Sequence, residues 1–266
     1  MQLNVLTYNT LFAGRDGAET RRYDAQVDLV QELRPDVLLM QEARGFDANG
    51  SAWLYDMEHR LQMRGFLAPA PRTGQNLAIF IRQPLRPLSF ESDSSVFHHS
   101  TASLQMAWPG TDRSLRLTSV HLCPNGVDAR RREASYLAVQ AHPEEYRLIA
   151  GDFNSASPHD PEPHGFDALP AHHRIRYSSD GLRADRSVLA LLEVAGWVDV
   201  GHLLEAEPTP TVPTADFTDS EFARMRCDYV LATPALASRA VGYEVIRTPV
   251  TDGASDHYPV LAKFEL

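Results

Sequence analysis

Eight polar residues stand at the ends of apolar runs or in the turns beside them: Asn9, Glu42, His121, Asp152, Asn154, Asp228, Asp256 and His257. Carboxylate and amide oxygens dominate this set, and it contains no thiol. Such donors suit a hard divalent ion such as Mg²⁺ or Mn²⁺, whereas zinc favours more His and Cys. The clearest of the runs is Arg147-Leu148-Ile149-Ala150-Gly151-Asp152-Phe153-Asn154-Ser155. A short apolar run bounded by Gly and Ser reads as a buried strand, and its period of two sends Asp152 and Asn154 to one side as it ends. Asp and Asn also begin turns for purely local reasons. The argument for chemistry therefore rests on repetition, because other strand ends in the chain carry Asn, Glu, His or Asp in the same way.

The elements that must position these groups can be read from periodicity. Residues 3–9 alternate as a strand that delivers Asn9, Tyr23, Val27, Val30 and Leu33 recur at helical spacing until Arg34-Pro35, and residues 36–42 form a strand with Glu42 at its exit. Strand, helix and strand in this order predict a βαβ unit. A second unit follows: residues 115–121 alternate and end on His121, a helix places Ala134, Leu137, Ala138 and Ala141 on one face, and the Asp152 strand closes it. Further helices are expected over residues 53–63 and from Val188 to a Gly196 cap, with strands over 77–81, 226–231, 241–246 and 258–264. Between Phe90 and Trp108 the pattern is mixed, and no site is assigned there. Long loops after Ser155 and through Pro208, Pro210 and Pro213 are expected to line or cover a site.

Length and composition bound the answer. At 266 residues, with 43% hydrophobic and 23% charged residues, the chain has ample material for a core, and a single domain over 1–266 is expected. No run approaches the ~18 apolar residues of a membrane span. The start Met1-Gln2-Leu3-Asn4-Val5 lacks the features of a signal peptide. Cys123 and Cys227 are the two cysteines, so a disulfide framework is not expected and a cytoplasmic setting is. A net charge of −10 disfavours sequence-blind gripping of a long phosphate backbone and favours a compact substrate or a metal-screened site.

Six segments together resemble the endonuclease/exonuclease/phosphatase family, the metal-dependent phosphoesterases that share a fold with DNase I. They are Thr7-Tyr8-Asn9, Gln41-Glu42, Ser119-Val120-His121-Leu122, Gly151-Asp152-Phe153-Asn154, Arg226-Cys227-Asp228-Tyr229 and Ser255-Asp256-His257-Tyr258-Pro259-Val260, in the family's order from end to end. The resemblance implies an α/β fold, a four-layer sandwich of two mixed β-sheets packed face to face with helices outside. It also implies roles. Glu42, helped by Asn9 and Asp256, would hold Mg²⁺ or Mn²⁺; Asp152 would deprotonate the attacking water; Asn154 and His257 would donate to the phosphoryl oxygens. Asp228 would orient His257, and His121 would contact the phosphate or leaving group. Cys227 departs from the family's usual aliphatic residue but keeps the position apolar. The implied activity is hydrolysis of a phosphate ester, with a small ester or nucleic acid end favoured as substrate over internal sites in DNA or RNA, and a non-catalytic binding module as the other class. No obligate protein partner and no stable membrane insertion are expected.

Other candidates read more simply. Asp36, Asp199 and Asp216 are expected to be turn formers. The pairs His98-His99 and His172-His173 are expected at the surface, because adjacent residues on a strand point apart. His159 and His164 lie near the site in sequence. Arg130-Arg131-Arg132 reads as a solvated helix face, and the cysteines read as buried fillers.

Overall fold

The structure, a computed structural model, describes residues 2–108, 113–204, 208–218 and 222–265. In chain order its elements begin with β1 (Gln2–Asn9), α1 (Arg21–Leu33), β2 (Val37–Gln41), α2 (Ala52–Leu61), β3 (Arg64–Ala68), β4 (Leu77–Ile81), β5 (Arg86–Asp93) and β6 (Thr101–Ala107). They continue through β7 (Ser114–His121), α3 (Val127–Ala138), β8 (Tyr146–Asp152), α4 (Ala171–Tyr177), α5 (Ser187–Val194), β9 (Val198–Asp199) and α6 (Val200–Leu204). The chain closes with β10 (Asp228–Ala232), α7 (Pro234–Ala237), β11 (Ala240–Val245), α8 (Pro249–Ala254) and β12 (Val260–Glu265). One sheet has the order β11-β12-β1-β2-β4-β3 and the other β5-β6-β7-β8-β10-β9.

Each sheet is mixed for a physical reason. The crossover helices α1 and α3 make β1 with β2, and β7 with β8, the parallel pairs at the sheet centres, while the other pairings are antiparallel. Side-chain alternation then divides the core into layers. Leu3, Val5, Val37, Leu39 and Ile79 of one sheet meet Leu104, Leu117, Leu148, Ala150 and Val230 of the other. The opposite parity, Leu6, Tyr8, Leu38, Met40 and Phe80, packs under Tyr23, Val27 and Val30 of α1 and Leu54 and Met57 of α2. Val120, Ile149, Tyr229 and Leu231 do the same under α3 and α5. Two sheets face to face with helices outside is the four-layer sandwich that the sequence implies.

Several sequence expectations change. Helix α2 ends at Leu61, because Gln62 turns into the left-handed region. The loop after Ser155 contains α4. The loop through Pro208 runs into residues 205–207 and 219–221, which lie outside the described residues. Arg130 is fully buried: it donates to Ser155 Oγ, Cys123 O and Arg176 O, so it anchors α3 to the loops around the Asp152 strand end. Asp199 is buried in a two-pronged ion pair with Arg226. His99 is 4% exposed and stacked on His121. In each case a tertiary partner overrides a local reading that assumed solvent.

Candidate active site

The inward parity that fills the inter-sheet core also delivers the polar groups. Leu148, Ala150 and Asp152 share a face of β8, as do Leu117, Ser119 and His121 on β7 and Asp228 and Val230 on β10. Register sets them side by side, with His121 opposite Asp152 in the parallel pair and Asp228 opposite Asp152 in the antiparallel one. Just below, Gln41 Nε2 donates to Ser119 Oγ and to Thr7 Oγ1, a polar rung joining the two sheets. Gly151 is required here: its φ is +144°, and a Cβ would stand 1.9 Å from Val120 O.

Asp152 is where the groups converge. Its Oδ1 accepts the Asn154 N–H at 2.8 Å, and its Oδ2 accepts from Asn9 Nδ2 at 3.1 Å. His121 Nε2 lies 3.4 Å from that Oδ2 and His257 Nε2 3.7 Å from it. Burial in the low-dielectric interior pushes the Asp152 carboxyl up to about 7, against the pull of the His257 charge and with help from Asp228. The two histidines differ in charge. Burial holds His121 well below the ordinary imidazole value, hence neutral. Burial opposes charge on His257 as well, but the carboxylates of Asp228, Asp152 and Asp256 outweigh it and raise that ring well above its usual value. His257 Nδ1 meets Asp228 Oδ2 at 2.8 Å, and Asp228 N–H is itself held by Thr211 Oγ1.

Glu42 and Asp256 occupy the flank of this cluster. Glu42 leaves β2 in a left-handed conformation, φ +60°, and its Oε2 accepts the Phe12 N–H at 3.0 Å. Burial raises its carboxyl, and the nearby Asp256 charge adds to that. No Lys or Arg pairs with it among the described residues. Asp152, Asp228 and His257 offer donor atoms within 4.8 Å of one another, a buried trio that could also face a metal. The trio already carries its own cation, the His257 ring, with a carboxylate at each nitrogen. The Glu42 side has two acidic groups and the Asn9 amide, with no cation in contact with Glu42 among the described residues beyond the more distant His257 charge, so the chemistry of its donors fits a hard divalent ion better.

Asn154 combines both readings of its residue type. It is a left-handed turn residue, φ +48°, and its Nδ2 donates to Leu122 O at 3.0 Å, which uses one of two amide hydrogens. His159 turns away from the cluster, its Nε2 3.0 Å from Glu193 and its ring stacked on His202. His164 lines a separate cavity of about 270 Å³ with Pro161, Pro208 and Pro210. Cys227 packs among Phe166, Tyr177, Val212 and Met225, and its buried thiol is raised far from reactivity.

Positioning residues that the sequence did not reveal come from helices. Arg22 of α1, 6% exposed, donates to Leu11 O at 3.1 Å and Ala254 O at 3.2 Å, and Gln26 bonds Thr10 O and Ala254 O. Together they clamp the turn after Asn9 to the segment before Asp256. Arg22→Ala removes the guanidinium bonds to Leu11 O and Ala254 O and the pairing with Asp16, and we expect a loss of about 3 kcal/mol, read as a melting point lower by roughly 6–12 °C; an unchanged melting curve would refute the clamp. Glu133 of α3 accepts the Cys123 and His98 N–H groups, which ties the segment after His121 to the segment bearing His99.

Solved structures similar to this chain include an AP endonuclease from Archaeoglobus fulgidus, with 20% identity, TM-score 0.68 and coverage of 99% of this chain and 100% of that one. D. rerio TDP2 complexed with a single-strand DNA product aligns at 16% identity and TM-score 0.70 over 100% of this chain and 99% of that one. A mannosyl-6-phosphatase from Bacteroides thetaiotaomicron aligns at 15% identity and TM-score 0.70 over 99% and 100% of the two chains. These identities establish a shared fold. No curated protein sequence matches the chain. The profile of the endonuclease/exonuclease/phosphatase family matches residues 6–257, and with that span covered the chain belongs to this family.

Proposed function

We propose that this protein hydrolyses a phosphate ester by direct in-line attack of water on phosphorus. The observation that carries the reading is the Asp152 carboxylate, raised to about 7 and set between a neutral and a cationic histidine. A base poised near the working pH is the efficient one for taking a proton from water. Asp152 receives that proton as the water oxygen bonds to phosphorus and the ester oxygen departs. The His257 imidazolium, fixed by Asp228, donates to a non-bridging oxygen as charge develops there, and the free amide hydrogen of Asn154 assists. His121, neutral, donates from Nε2 toward the leaving oxygen. Glu42, Asn9 and Asp256 would hold Mg²⁺ or Mn²⁺, which supplies charge neutralisation at the phosphoryl oxygens.

A small phosphate ester or a nucleic acid end fits this chain better than internal sites in duplex DNA. The sequence has 35 acidic against 25 basic residues. The loop through Pro208 borders the cluster, since Thr211 holds Asp228, and Thr214 bonds the Ser255 and Asp256 carbonyls. Among the similar structures both chemistries occur by name, a mannosyl-6-phosphatase and a complex with single-strand DNA product. The test is a panel of phosphate esters assayed with Mg²⁺, Mn²⁺, Ca²⁺ or chelator, with kcat/KM at two salt concentrations for plasmid DNA, a short single strand and small diesters. We expect the small or terminal substrates to lead. Efficient plasmid nicking with a steep salt dependence would transfer the assignment to a general nuclease.

No helix among the described residues is long and apolar enough to cross a membrane.

A further inference from the structure

His121 is held in an unusual way for a histidine beside a reacting centre. An imidazole at such a position is commonly fixed by a hydrogen bond to the nitrogen that faces away from the chemistry. Here Nε2 faces Asp152 Oδ2 at 3.4 Å, while the far nitrogen, Nδ1, is buried with no hydrogen-bond partner among the described residues. What lies against the ring is a second imidazole. His99 stacks on His121 with centroids 4.2 Å apart and planes at 25°, and its own Nδ1 meets Thr73 Oγ1 at 2.8 Å. His98 closes the edge of His99 at 4.8 Å and 84°.

The contact places two imidazoles where an aromatic hydrocarbon pair would also fit. Among the described residues no group pairs with the buried Nε2 of His99 or the buried Nδ1 of His121, in residues only 4% and 5% exposed. A buried polar nitrogen must be desolvated, and an aromatic hydrocarbon ring of similar shape would avoid that penalty. Placement of the pair directly against Asp152 sets it apart from other buried polar groups. The surroundings are built around the contact. Glu133 ties the His98 N–H to the Cys123 N–H, so that one buried carboxylate holds the two segments that carry the stacked rings.

We propose that His99 is a positioning residue for His121: anchored by Thr73, its ring fixes the plane of His121 so that Nε2 addresses the leaving oxygen. This rests on the phosphoesterase reading above. A stacked face restrains tilting, and the Thr73 bond keeps the stacking ring from turning in its own plane. A misaligned donor of this kind loses most where the departing oxygen most needs a hydrogen bond.

The experiment compares two esters of one phosphate, a p-nitrophenyl ester, whose phenolate departs unaided, and an alkyl ester, whose alkoxide does not. His99→Ala is expected to lower kcat roughly 10-fold on the alkyl ester and little on the nitrophenyl ester. His121→Ala should show the same selectivity more strongly, and the double variant should be no worse than His121→Ala alone. His99→Phe, which keeps the ring and so protects the fold, should fall between wild type and His99→Ala, and Thr73→Val should resemble it. Equal losses on both esters, or losses that multiply with His121→Ala, would show a merely structural residue and overturn the proposal. If wild type cleaves neither ester nor any member of the substrate panel above under any metal condition, the phosphoesterase reading fails and this proposal falls with it, an outcome distinct from an active enzyme indifferent to His99.

Discussion

The Asp152→Asn protein is expected to turn over at least ~10²-fold more slowly than wild type, the usual size of a lost acid-base group, without becoming less stable. The second half of that expectation follows from linkage. The folded-state carboxyl is raised to about 7 from an ordinary 3.8, so the folded protein holds its proton more tightly than the unfolded chain does. Stability tied to this group is therefore lost as pH rises from the unfolded value, near 4, through the folded value, near 7, and stays lost above it. Asparagine carries no charge to bury. In chelator at pH 8 the variant should melt at the wild-type temperature or above it, and any advantage should fade toward pH 4. Turnover close to wild type would remove Asp152 as the base. A large fall in melting temperature at pH 8 would mark it as a structural residue instead.

The same physics explains what could be read from the sequence and what could not. Strand parity was legible: once Leu148 and Ala150 are inward, Asp152 must be, and the same holds for Leu117 and His121 or Val230 and Asp228. The two βαβ units follow from helical spacing between alternating runs, and the parallel pairs confirm them. Periodicity stops where the chain turns. Glu42 and Asn154 sit in left-handed turns, so their directions depend on Phe12 N–H and Leu122 O and not on alternation. The helix-borne clamps were illegible for a different reason. Arg22, Arg130 and Glu133 look like solvated faces because charged side chains usually are, and what buries them is a set of distant carbonyls and N–H groups. His99 lies in a bend before β6, where no period exists to show which way it faces.

Removal of divalent metal is expected to abolish activity, and the melting curve should show where the ion sits. Glu42 is a carboxylate raised by burial and by Asp256, with no Lys or Arg beside it among the described residues. An ion that neutralises this flank favours the folded state by mass action, about 2.7 kcal/mol at a concentration 100-fold above Kd, which corresponds to roughly 5–10 °C in Tm. Wild type should thus melt higher in Mg²⁺ or Mn²⁺ than in chelator. Glu42→Gln removes one ligand charge and the desolvation penalty together, so it should melt at or above wild type in chelator yet gain little from the ion. Its activity should fall by at least ~10²-fold and recover partially at high metal concentration. The competing location, the Asp152, Asp228 and His257 trio, makes a different forecast. There Glu42→Gln would keep the full metal-induced shift in Tm, while Asp228→Asn would lose it. A Glu42→Gln protein that retains the wild-type response to Mg²⁺ would therefore move the ion to the trio, and full turnover in chelator would remove the metal from the mechanism altogether.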